Sequence, residues 1–138
     1  MNARHLLFRT GRFNLSQVQK HFINPCCFGE DLATWLQAKL AERDIRASDP
    51  GQEDWGWYVR AKQGDDSYFL AVSGNFANGT NQDYGEWRII VLKKRSIWDR
   101  IRGKGKIADR DPMLRIIEEI LRAEADFIDV HREPEASS

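Results

Sequence analysis

Hydrophobic residues change their spacing several times along the chain, and each change marks a predicted element. From Glu30 to Asp44, Leu32, Trp35, Leu36 and Leu40 recur at helical spacing, and Glu30 and Asp31 place negative charge in the first turn, where the helix dipole favours it. Asp111 as N-cap and Pro112 at the first helical position open a second helix, with Leu114, Ile117, Ile120 and Leu121 on one face. Between the two, the period drops to two. In "WGWYVRAK" Trp55, Trp57 and Val59 alternate with Gly56, Tyr58 and Arg60; "QGDD" is a hairpin turn signal, and "SYFLAVSG" is the returning strand. "WRIIVLKK" predicts a strand that is apolar on both faces, and "FIDVHRE" a last strand that sets Ile128 and Val130 against Asp129 and His131. "HLLFRT" predicts an N-terminal strand or hairpin, and Ser96 with Asp99 caps a short helix, "SIWDRIRG", that Gly103 ends.

These elements predict an α+β two-layer sandwich, an antiparallel sheet of about four to five strands packed against two long helices plus one short helix. It forms a single domain over residues 1–133, followed by a frayed tail at 134–138. The two amphipathic helices cover one sheet face, yet the strands around Leu70 and Ile90 are apolar on both. The second face therefore needs a cover, for which the N-terminal segment, the short Trp98 helix and a second copy of the chain are the candidates.

Composition agrees with a folded domain: 138 residues, 41% hydrophobic, with five tryptophans and seven phenylalanines. The longest apolar runs, "YFLAV" and "IIVL", fall far short of the roughly 20 residues needed to span a bilayer. No signal-peptide pattern opens the chain, so a cytoplasmic location with reduced cysteines is expected. The formal net charge of zero hides segregation, because residues 88–110 carry nine basic and two acidic side chains while residues 111–138 carry three and eight.

Four groups of residues carry candidate chemistry. Cys26 and Cys27 sit just ahead of the first helix, where a dipole could activate a thiolate, and His21 is the nearest imidazole. Adjacent cysteines do not match structural zinc spacing and no second pair completes a site, so no metal and no cofactor is expected and burial of both side chains is the simpler reading. In the basic stretch 88–106, Lys93, Lys94, Arg95, Arg100 and Arg102 flank Trp98, a pattern suited to nucleic-acid phosphates with a stacked base, to an anionic lipid surface, or to a solvated edge facing the acidic blocks. Trp55 and Trp57 on one strand face could form an aromatic binding platform or belong to the core, Tyr58 on the opposite face is a further candidate contact, and Gly56 between the tryptophans marks a bulge or a close approach by another backbone. Asp49, Glu53, Asp54, Asp65 and Asp66 fit no calcium-loop spacing. Phosphate-binding glycine loops, HExxH and Gly-x-Ser-x-Gly are absent from the sequence.

The motif order "NPCCFGEDLATWL", "EDWGWYV", "GEWRIIVLKKRS" resembles a group of small stand-alone bacterial proteins of unknown function, over about Phe22 to His131. The resemblance implies a bacterial source and carries over no catalytic residue. Together these readings predict a non-enzymatic protein-binding or regulatory module, acting on a protein partner or on a second copy of itself. A nucleic-acid contact protein using residues 88–106 is the second reading, and a thiol enzyme at Cys26 or Cys27 the third.

Overall fold

A computed structural model describes residues 3–13, 29–53, 56–76, 85–94 and 110–133. Among the described residues, six strands and two helices follow one another as β1 (Ala3–Thr10), α1 (Glu30–Ala41), β2 (Gly51–Glu53), β3 (Gly56–Gln63), β4 (Asp66–Phe76), β5 (Gly85–Lys93), α2 (Pro112–Arg122) and β6 (Ile128–Arg132). All strands join one antiparallel sheet in the order β2-β3-β4-β5-β1-β6. The α+β class is as expected, but the strand count is six rather than four to five. The unexpected strand, β2, lies in "SDPGQED", where Pro50 and Gly51 read as a break, and it pairs along the sheet edge for three residues only. The predicted short helix at 96–103 and the tail at 134–138 lie outside the described residues.

The period-two pattern sets the layers. Leu6 and Phe8 of β1, Val59 of β3, Leu70 and Val72 of β4, and Trp87, Ile89 and Val91 of β5 share one face through the strand register. They form a single core cluster with Leu32, Leu36 and Leu40 of α1 and with Leu114, Ile117 and Leu121 of α2, all 0 to 1% exposed. Both helices therefore cover this inner face, as their apolar stripes require. Asp111 caps α2 by accepting hydrogen bonds from the Met113 and Leu114 amides, with Pro112 at the first helical position.

Two departures from ideal strands have local causes. The alternation predicted for β6 fails because the register against β1 shifts between Leu7 and Arg9, with Asp129 in the left-handed region at φ 55°. Ile128 is consequently 42% exposed, whereas Val130 packs on the core. At Gly56 the close approach expected from the sequence is present: a Cβ there would lie 2.6 Å from the Val72 carbonyl oxygen.

Candidate functional site

The outer face of the sheet carries the side chains that alternate with the core set. Register places Tyr58, Ala71, Ile90 and His5 in one cross-strand row, and Arg60, Phe69 and Leu92 in the next. Tyr58 and Phe69 stack with ring centroids 4.6 Å apart, and the Arg60 guanidinium lies 5.6 Å from the Tyr58 ring. Ala71 is 3% exposed yet stands outside the core cluster, while Tyr58, Phe69, Ile90, Leu92 and Leu7 are all partly exposed. No described helix packs across this face.

At the β3–β4 hairpin end the face opens into a recess of about 760 Å³. Its floor is Ser67, Phe69 and Leu92, and Arg46, Arg60, Lys62 and Lys94 stand around it. Arg46 arrives through an irregular edge: Ala47 bridges Ala61, the Ser48 amide donates to the Arg60 carbonyl at 2.8 Å, and the same register puts Arg46 beside Lys62. The Lys94 amide donates to the Ser67 carbonyl at 2.8 Å, so Arg46, Lys62, Ser67 and Lys94 form one transverse row. The described lining contains no carboxylate.

Lys93 belongs to the other side of the sheet. Its ammonium lies 3.4 Å from Asp111 and 3.5 Å from Asp66, and the Tyr68 hydroxyl donates to the Asp111 carboxylate from 2.9 Å. Burial and the Asp111 charge hold the Tyr68 hydroxyl well above its ordinary pKa of 10. With its carboxylate engaged by two helix amides, a phenol and an ammonium, Asp111 ties the start of α2 to the sheet.

At the opposite end, near β6, charges pair. Arg88 donates to Glu133 at 2.9 Å and to His5 Nδ1 at 2.6 Å, and Glu133 lies 3.1 Å from the same imidazole. Burial and the Arg88 charge lower the His5 pKa from 6.5, against an opposing pull from Glu133. Arg9 reaches Glu86 at 3.4 Å and Asp129 at 3.7 Å.

The residues singled out from the sequence thus separate. Trp57 is a core side chain, 4% exposed, and offers no face to a binding platform. Tyr58 lies on the outer face and Lys94 in the recess, whereas Lys93 is committed to Asp111. Cys26, Cys27, His21, Trp55, Arg95, Trp98, Arg100 and Arg102 lie outside the described residues. The recess cations that sequence reasoning passed over, Arg46, Arg60 and Lys62, come from chain segments that are acidic in sum. Strand alternation from Val59 was a signal for Arg60 and Lys62, but nothing local marks the bridge that delivers Arg46. No group of three or more histidine, cysteine or acidic side chains suited to a metal ion occurs among the described residues, and no described helix is long and apolar enough to cross a membrane. No protein-family model, curated protein or solved structure matches the chain.

Proposed function

We propose that the protein is a non-enzymatic binding module of the cytoplasm that works by pressing the outer face of its sheet against a partner protein. One observation carries this reading: Leu7, Tyr58, Phe69, Ile90 and Leu92 leave partly exposed apolar surface on the face opposite both helices. A contiguous apolar area with a polar rim is the usual form of a contact surface between chains. The rim here is charged, with Arg9, Glu86, Arg88 and Glu133 at one end and the recess cations at the other.

A photo-crosslinking residue at position 90, compared with one at exposed Arg115 on α2, tests the reading in host lysate. The partner should crosslink from position 90 only, and Ile90→Glu should abolish recovery of that adduct by a probe at position 7 without lowering the denaturant midpoint by more than about 1 kcal/mol equivalent. A product of twice the chain mass would make the partner a second copy. Equal crosslinking from both positions, or none from position 90, would remove the outer face as the contact surface.

A further inference from the structure

His5 Nδ1 stands between two groups that make opposite demands on it. The Arg88 Nη1 atom lies 2.6 Å away and the Glu133 Oε2 atom 3.1 Å away, while the same Nη1 donates to Glu133 at 2.9 Å. A guanidinium has donors only, so Nδ1 accepts from Arg88 and the single ring proton sits on Nε2. One cationic nitrogen thus bridges the imidazole and the carboxylate. Nδ1 and Oε2 are both acceptors, and they stand close together because Arg88 serves them both.

A proton on Nδ1 reverses the arrangement. Two cationic N–H donors repel at 2.6 Å, whereas the Glu133 oxygen is already within hydrogen-bond reach of Nδ1. The backbone decides which partner withdraws. Glu133 is fixed beside His5 by its own amide, which donates to the His5 carbonyl at 2.9 Å. Arg88 reaches the ring on a diagonal from β5, because the register partner of His5 is Ile90, and its long side chain has room to turn away over the outer face. Among the described residues no other charge is placed to compensate. Arg4 alternates to the inner face, His131 lies one row away beside Leu7, and Glu86, two residues from Arg88 on β5, is engaged by Arg9 at 3.4 Å.

We infer that His5 is a proton-operated latch on Arg88: with a neutral ring it holds the guanidinium against Glu133, and on protonation at Nδ1 it takes Glu133 itself and releases Arg88 onto the outer face beside Ile90. Burial and the Arg88 charge lower the His5 pKa from 6.5, so the latch is closed at pH 7 and opens in acid. The latch stands without the partner-contact reading. Only its consequence for a partner rests on that reading: a released guanidinium puts an unpaired charge on the apolar face and weakens a contact made there.

Nitrogen-15 NMR of the labelled full chain tests the latch in the free protein. Above the His5 titration the ring should be the Nε2–H tautomer. As His5 takes up its proton, the order parameter of the Arg88 Nε–H vector should fall from a rigid value to below about 0.6, with the same midpoint. Arg88→Gln should move the His5 midpoint to higher pH and Glu133→Gln should move it to lower pH. Both side chains are partly exposed, so neither variant should unfold the protein. A neutral ring with its proton on Nδ1, an Arg88 order parameter unchanged through the His5 titration, or an Arg88→Gln midpoint at or below that of the parent would each overturn the inference. None of these results touches the crosslinking outcome at position 90, and a silent position 90 would leave the latch intact.

Discussion

The Tyr68 hydroxyl and the Asp111 carboxylate meet at 2.9 Å in the interior, joining strand β4 to the first turn of α2. Asp111 simultaneously serves two helix amides and faces Lys93, so its removal orphans several groups at once. Asp111→Ala should destabilise the protein by about 2–4 kcal/mol, read from denaturant midpoints. Asp111→Asn retains an N-cap acceptor and should lose less. Tyr68→Phe should lose about 1 kcal/mol, because Asp111 keeps its other partners.

The same pair sets an alkaline limit. With the folded-state pKa of Tyr68 raised, the unfolded chain loses its phenol proton first as pH passes 10, while the folded chain retains it. Stability contributed by this group is complete below pH 10 and falls as pH rises through the folded value. Urea midpoints between about pH 8 and about pH 11 should decline more steeply for the parent than for Tyr68→Phe.

His5 imposes the opposite limit. Its folded pKa is lowered from 6.5 because burial and Arg88 disfavour the imidazolium, and the Glu133 carboxylate only partly offsets them. Stability from the neutral ring is present above 6.5 and is lost as pH falls through the lowered value, since the unfolded chain takes up the proton first. His5→Gln should flatten the fall in urea midpoint between pH 6.5 and about pH 5, and the imidazole resonances of His5 should titrate below 6.5.

Gly74 stands where the Trp87 indole crosses the strand, and a Cβ at that position would come within 2.4 Å of the ring. Overpacking of this kind costs about 1–3 kcal/mol, so Gly74→Ala should lower the denaturant midpoint by that amount. Combining it with Trp87→Leu should recover part of the loss, and a double-mutant cycle measures the coupling between the two positions.

In the cationic row, Lys62→Glu tests the contact between like charges. It places a carboxylate beside Arg46 and should stabilise the free protein slightly, by about 0.2–1 kcal/mol before salt screening. Thermal melts of variant and parent at low and raised salt check the sign of the effect and its screening.

Much of the architecture was legible in the pattern of side chains, and the parts that were not share a cause. Leu32, Leu36 and Leu40 at helical spacing, the Asp111-Pro112 start and the Gly64-Asp65 turn between β3 and β4 are local signals, and each element stands where they placed it. The edge strand β2 and the shift at Asp129 were hidden because each exists only through pairing with a distant strand. The recess was hidden for the same reason. The densest run of positive charge, residues 88–110, supplies Lys94 to it, while Arg46, Arg60 and Lys62 come from stretches whose totals are negative. Counting charge along the chain registers neighbours in sequence, and a sheet assembles neighbours across strands. Aromatic content left Trp57 between core and platform, and its pairing with Val72 in the sheet puts it in the core.

The position of β1 in the sheet bears on how the molecule assembles itself. It pairs on one side with β5 and on the other with β6, so Ile89 closes one edge at Leu6 and only Arg132 closes the other. During synthesis β1 leaves the ribosome long before its partners, as an alternating strand with both backbone edges open. The contacts that complete the sheet are therefore among the most distant in sequence, which favours slow folding and leaves β1 open to mispairing until β5 arrives.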